Sequence, residues 1–429
     1  MRRRLAIVQL FHHREPALLV AGQTVSNFGD GVALVALTLL VLDTTHSVSK
    51  LAWFAAARMV PLVVFLLVGG AVVDRFSRRT LLLISDSARA VLTGVLTVLI
   101  AVRAITFHEL LVFAFLFGIF DALFTPAMSA ITPEIVTEDL LPAMNAIRPL
   151  SNSVVGNMIG PVVGGALATW STTWAIGLDC ATFVVSAGAL TLMRATPRPN
   201  RHAGATVLGD IREGLHYVAR TRWIWTTLAA VTVGNAFLFT PMFVLIPFFL
   251  RHDLHTSKAL VGLAFALTGA AGAIGALIAG NLRTPRRRLR VIWTYWTIGT
   301  LSALVIGVAT QFWEVMIGPV VFSATALLGN VIWESMLQSE VPRELLGRVS
   351  SVDWFVSLGL SPVGIVTAGA LSSVIGVRTY FVVMALVSVA PGLYVLTSRR
   401  TNDIDRGRVT PAGAGEPRPT MAPPAGSPS

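Results

Sequence analysis

The sequence predicts an all-α membrane protein of twelve transmembrane helices in two pseudo-symmetric six-helix bundles. Three observations carry that expectation. Of 429 residues, 54% are apolar and only 13% charged, with a mean hydropathy of +0.72, whereas a soluble chain carries about 25% charged residues. Twelve apolar segments are each long enough to cross a hydrocarbon core of about 30 Å, which takes roughly 20 helical residues. The second half of the chain also repeats features of the first at a constant offset.

The expected spans are 17–42, 51–73, 80–102, 109–130, 143–170, 172–193, 223–250, 259–280, 289–310, 312–334, 349–373 and 377–397. The first follows the basic arm of Arg2, Arg3 and Arg4, yet runs too long and lacks the small-residue cleavage site of a removable signal, so it reads as a retained span. The second and third are separated by the charged turn GAVVDRFSRR, Gly70 to Arg79. The fifth and sixth part at Trp170/Ser171, and the ninth and tenth at Thr310/Gln311, on helix length alone. After the sixth comes the longest internal hydrophilic stretch, 194–222. It carries six arginines and an amphipathic pattern from Asp210 to Arg220 suited to the inner membrane surface.

The resulting organisation is an amino-terminal arm (1–16), a first bundle (17–193), a linker (194–222), a second bundle (223–398) and a disordered tail rich in Pro, Gly and Arg (399–429). Within it, VTEDLL at 136–141 aligns with VPRELL at 341–346 at an offset of 205, and Gly164 falls on Gly369 at the same offset. Two related bundles with a midplane site between them are one recurring design of secondary transporters.

With the amino terminus inside, the inner segments hold 26 of the 33 Lys/Arg and the outer loops five: Lys50, Arg103, Arg251, Lys258 and Arg378. Arg58 and Arg89 remain within spans. The positive-inside rule therefore places both termini in the cytoplasm of a cell-membrane protein. The net charge of +11 belongs to topology and to contact with anionic lipid; no basic face with interleaved aromatics points to nucleic acid. The lone Cys180 allows no intramolecular disulfide. A phosphate-binding G-x-x-x-x-G-K-[ST] loop needs a lysine before Ser or Thr, and the two lysines precede Leu51 and Ala259. ATP hydrolysis by this chain is excluded, and no His/Cys cluster or nucleophile elbow speaks for a metal site or a hydrolase. No cofactor is expected, with the proton gradient as energy source.

The turn at Gly70, Asp74, Arg75, Arg78 and Arg79 resembles the loop motif of the major facilitator superfamily, with Ser77 where that family usually has glycine. The second-half counterpart, GNLRTPRRR from Gly280, has Arg283 near the acid's place. The resemblance implies a conformational role, with Asp74 facing a helix amino terminus of the other half near Val349. In the fifth span, Gly160, Pro161, Gly164 and Gly165, extended by Gly156, resemble the GPxxGG signature of that family's drug/proton antiporters. Small residues at such spacing let helix backbones approach closely.

Ionisable groups inside a span cost on the order of 3 kcal/mol and by default mark ion pathways. In the first span Gln23, Asn27 and Asp30 form one polar stripe. Asp30, near mid-depth, is the first candidate for the exchanged proton. Arg58 in the second span is within reach of Asp30 by axial offset, as a structural pair or an alternating one. Asp121, with Thr125 one turn on, is the second proton candidate, and Arg148 is an inner-surface anchor or its partner. Asp86 and Arg89, at i and i+3, read as a self-neutralising pair. Asn152 lies on the stripe that opens the fifth span. In the second half Asn235 and Phe239 share a face of the seventh span, and Asn330 and Glu334 one of the tenth. Such a cavity suits amphipathic organic molecules better than sugars. Trp293, Tyr295 and Trp296 read as an interfacial belt.

The sequence thus predicts a monomeric, non-enzymatic secondary transporter in the bilayer, exchanging protons for small amphipathic or cationic organic compounds. The alternatives are a dedicated exporter of one metabolite, such as the siderophore exporters the resemblance includes, and a non-transporting membrane sensor or scaffold.

Overall fold

The computed structural model describes residues 9–73, 77–137, 139–194, 207–282 and 285–397. Among them, twelve crossing helices follow one another: Arg14–Thr45, Val48–Val73, Arg78–Ala101, Phe107–Ile135, 141–170, Thr172–Leu192, Arg222–Asp253, Lys258–Asn281, Arg288–Val308, Phe312–Glu340, 343–375 and Val377–Thr397. These are spans one to twelve. One further helix, Val207–Arg220, lies between the sixth and seventh, and the described residues contain no strand. Eleven spans are long and apolar enough to cross a bilayer by themselves. The fifth is diluted by Asn145, Arg148, Asn152 and Asn157, and it passes through a π-helical stretch, Asn152–Ile159.

Several helices run past the expected apolar limits, because a helix continues into the headgroup region wherever its residues allow. The fourth reaches Ile135 and the tenth Glu340. The eleventh starts at Arg343 behind Pro342, so Val349 lies nearly two turns inside the helix and not at its amino terminus. At the two joins set by length alone, the backbone is extended at Ser171 (φ −160°, ψ 118°) and Gln311 (φ −127°, ψ 156°).

The repeat is visible in the helix caps. Thr106 and Glu109 form a capping box at the start of the fourth span, and Gln311 and Glu314 form the same box at the start of the tenth, again at an offset of 205. Opposite charges recur at the other ends of these helices: Arg78 meets Glu134 at 3.2 Å and Arg288 meets Glu340 at 3.7 Å. Arg79 donates to the last carbonyls of the sixth span, Leu190 at 2.7 Å and Thr191 at 2.8 Å, which favours the carbonyl-rich end of that helix.

Both described termini lie at one end of the bundle, here the terminal end. At the opposite, far end the two halves are joined. Val35, Leu39 and Ala168 of the first half pack into one apolar cluster with Leu245, Phe249 and Val261 of the second. Asp43 of the first span pairs with Lys258 at 2.6 Å and Arg251 at 3.9 Å.

The helix Val207–Arg220 is amphipathic, as its sequence suggests, but its apolar face meets protein. Val218 is buried against Val349 and Val352 of the eleventh span, and Glu213 pairs with Arg348 at 2.5 Å.

Candidate functional site

In the first half a cavity of about 650 Å³ is lined by Gln23, Asn27, Asp30, Arg89, Asp121, Arg148 and Asn152, among others. The first, third, fourth and fifth spans contribute its walls, and it extends from mid-depth toward the terminal end through Thr24, Thr125 and Ser129.

The ion pairs differ from the expected set. Arg58 meets Asp121 at 3.4 Å, not Asp30, and lies over the Phe117 ring at 4.7 Å. The second span packs along the fourth, whereas the first packs along the sixth; lateral neighbours, which axial offset does not report, decide the partner. Arg89 holds Asp86 at 2.5 Å on its own helix and reaches Asp121 at 3.7 Å, with its guanidinium between the rings of Phe124 and Phe183. Asp86 and Arg89 are therefore part of a chain of charges across the third, fourth and second spans. Ser186 completes it from the sixth, donating to Asp86 at 2.6 Å and accepting from Gln23 at 3.0 Å. Arg148 donates to Thr132 at 2.9 Å and does not pair with Asp121. Asn27 donates to Ser151 at 3.5 Å.

No salt bridge among the described residues engages Asp30, although it lines the same cavity as Arg89 and Asp121. A further acid escaped the sequence reading: Asp179 of the sixth span is fully buried, and neither carboxyl oxygen has a hydrogen-bond partner. The neighbouring Thr182 hydroxyl donates to the Asp179 main-chain carbonyl at 2.7 Å. Gly29, next to Asp30, makes room for this turn of the sixth span: a Cβ there would clash with the Thr182 hydroxyl and lie 2.6 Å from Asp179 Oδ1. The only available signal was an acid in the apolar run TTWAIGLDCATF.

The glycine motif packs two ways. A Cβ on Gly160 or Gly164 would meet the first-span backbone at 2.8 Å (Gly31 Cα) and 2.9 Å (Val32 Cα), within one half. A Cβ on Gly165 would lie 3.0 Å from Gly262 Cα of the eighth span, in the other half. Gly156 faces Asn27, and Pro161 is buried beside Gly31. A pseudo-equivalent contact joins the eleventh span to the second, where Ser49 donates to the Gly369 carbonyl at 3.0 Å.

In the second half Asn235, Phe239, Asn330 and Glu334 line a separate cavity of about 260 Å³. Asn235 donates to the Ser357 carbonyl at 3.1 Å, and Phe239 stacks on Phe322 at 5.4 Å. Asp353 and four tryptophans complete the wall. Trp293 is buried there and Trp296 is half-buried, which corrects their assignment to an interfacial belt: the ninth span turns this face toward the tenth, where the Trp296 and Trp333 rings meet at a tilt with centroids 6.3 Å apart.

Asp74 and Arg75 lie outside the described residues, and Gly70 falls in the last turn of the second span. Among the described residues no group of three or more His, Cys, Asp or Glu side chains is placed to hold a metal ion.

The sequence model of the Major Facilitator Superfamily matches residues 19–357 and 242–424. The chain belongs to the major facilitator superfamily. Members of this superfamily are membrane transporters and not enzymes, and the twelve-helix, two-bundle architecture is its fold. A superfamily relative, the multidrug efflux pump Tap of Mycobacterium tuberculosis, is 28% identical over 414 residues, covering 92% of this chain and 96% of that protein. Macrolide efflux protein A of Streptococcus pyogenes is 21% identical over 371 residues, covering 84% and 90%. Among solved superfamily-like folds, the nucleoside transporter NupG superposes with a TM-score of 0.71 at 11% identity, covering 89% of this chain and all of that one. A bacterial Spinster homologue in an inward-facing, unoccupied conformation superposes with a TM-score of 0.69 at 14% identity, covering 94% and 98%.

Proposed function

We propose that the chain exports small amphipathic or cationic organic compounds in exchange for protons, by alternating access. The observation that carries this reading is the first-half cavity, where Asp30 and Asp121 share about 650 Å³ with the cation Arg89 at mid-depth of a helical bundle. Carboxylates at such depth are proton relays by default. The Arg58–Asp121–Arg89 chain is also a switchable element: a proton on Asp121 frees Arg58 from its partner at 3.4 Å, leaves Arg89 to Asp86 and changes the field at Asp30. The printed names of the relatives, a multidrug efflux pump and a macrolide efflux protein, support export.

The arginine distribution supports a cytoplasmic terminal end. On that orientation the cavity faces inward, and the Asp43 ion pairs with the Gly165–Gly262 contact form the closed outer gate. The moving bodies are then 17–193 and 223–398, tethered by 194–222, with the arm and tail inside. A single chain holds the whole pathway, so a monomer is the working unit, with no cofactor beyond the proton gradient.

The test is proton release on substrate binding, measured with a pH dye in weakly buffered detergent solution of the purified chain. A multidrug-type cation such as ethidium is expected to displace protons from the parent protein, with the yield reduced in Asp30→Asn and in Asp121→Asn. Binding with no proton release in the parent protein would sink the coupling.

A further inference from the structure

The second-half cavity has a composition that the proton chain does not use. Trp293, Trp296, Trp333 and Trp354 line it together with Glu334 and Asp353, and no Lys, Arg or His does. No salt bridge among the described residues engages either carboxylate. Among the described residues, Asp353 accepts only from the Trp333 indole, at 3.3 and 3.4 Å to its two oxygens. Glu334 is exposed and Asp353 half-buried, and two acids so placed are neutralised by protons or by a cation bound beside them.

Two donors of the wall have no partner among the described residues. Trp293 is 5% exposed, and its indole Nε1 is buried in the cavity wall without an acceptor; the Ser388 hydroxyl beside it is likewise without a partner. Trp354 is 52% exposed, which leaves one aromatic face accessible.

These demands converge on one ligand class. Indole faces attract a cation through the ring quadrupole, carboxylates reject anions, and Asn235, Thr300 and Thr325 already donate to main-chain carbonyls, which leaves few hydrogen bonds for a sugar. The cavity of about 260 Å³ has room for a part the size of two fused rings. We infer that this cavity is a binding site for a compact aromatic monocation, with Glu334 and Asp353 as its counter-charges and the tryptophans as its walls. The inference deepens the export reading, on which it rests for identifying the bound cation as cargo.

The cation site is also separate from the proton chain. At the repeat offset of 205, Asp30 of the first half falls on Asn235, and Arg148 falls on Asp353. The first half carries an acid facing arginines, and the second carries acids with none. Cargo charge and proton charge are thereby held in different halves.

The experiment is a fluorescence titration of the full chain in lipid nanodiscs with 6-methoxy-1-methylquinolinium and with a neutral methoxy-methylnaphthalene of the same outline. The parent protein is expected to bind the cation at least tenfold more tightly than the neutral compound. Asp353→Asn with Glu334→Gln is expected to remove that preference while leaving the affinity for the neutral compound unchanged. Asp353→Glu, which keeps the charge, is expected to keep the preference and covers the case in which the double variant fails to fold. Equal affinity of the parent for the two compounds, or an unchanged preference in the double variant, would overturn the site. Transport separates the two readings. A cation bound through these acids but never moved by the chain in vesicles leaves the site standing and removes the export reading, whereas a cation moved without dependence on these acids does the reverse.

Discussion

Asp43 Oδ2 lies 2.6 Å from Lys258 Nζ, tying the far end of the first span to the far end of the eighth. The same carboxylate meets Arg251 at 3.9 Å through its other oxygen, so one acid serves two cations of the opposite half. Beneath it lies the apolar cluster shared by both halves, and together these contacts hold that end shut.

An ion pair this exposed contributes only about 0.2–1 kcal/mol. Asp43→Ala is therefore expected to raise the population open at the far end by no more than about fivefold, not to abolish closure. The measurement is labelling of Leu39→Cys, in a Cys180→Ser background, by a membrane-impermeant maleimide added to intact cells. Leu39 is fully buried in the closed form, so labelling no faster than in the Asp43 parent would remove the gate role.

The glycines of the fifth span predict two separable defects. Gly165→Val places a side chain against Gly262 of the other half, an overpacking of about 1–3 kcal/mol that falls on closure. Far-end labelling should increase with little loss of thermal stability. Gly164→Val meets Val32 within its own half, so it should lower the melting temperature and leave the labelling ratio near the parent value. A common phenotype for both would merge the two roles.

Arg89 is 2% exposed and its partner Asp86 is fully buried. Arg89→Ala leaves a buried carboxylate without its counter-charge, and removing one partner of such a pair costs about 3–5 kcal/mol. Loss of folded protein on size exclusion is expected, with recovery when Asp86→Asn is added. Arg89→Lys should not restore function, because an ammonium cannot bridge Asp86 and Asp121 from between Phe124 and Phe183. Full transport by Arg89→Lys would show that charge alone suffices.

The helices were legible because each span must satisfy its backbone internally over a fixed thickness, and turn chemistry marks their ends. Thr106–Glu109 and Gln311–Glu314 are local signals, readable three residues apart. The polar stripe Gln23, Asn27 and Asp30 was legible for the same reason, and all three line one cavity. Partnerships were less so. Arg58 reaches Asp30 on axial arithmetic, but the packing of the second span against the fourth gives it Asp121 instead. Asp179 and Asp353 carried no stripe. Asp179 is placed by the bare backbone of Gly29 on another helix, and Asp353 stands out only when it is set beside Arg148 through the repeat.

The central claim is that mid-depth carboxylates couple proton entry to export. The direct measurement is uptake of ethidium into inverted membrane vesicles with the interior made acidic. The parent protein is expected to accumulate ethidium while the gradient lasts and to release it when the gradient is collapsed. Asp30→Asn is expected to equilibrate ethidium without accumulation, keeping exchange of internal for external dye. Accumulation by Asp30→Asn equal to that of the parent would move the coupling to Asp121, and accumulation by the parent that ignores the gradient would contradict proton-coupled export altogether.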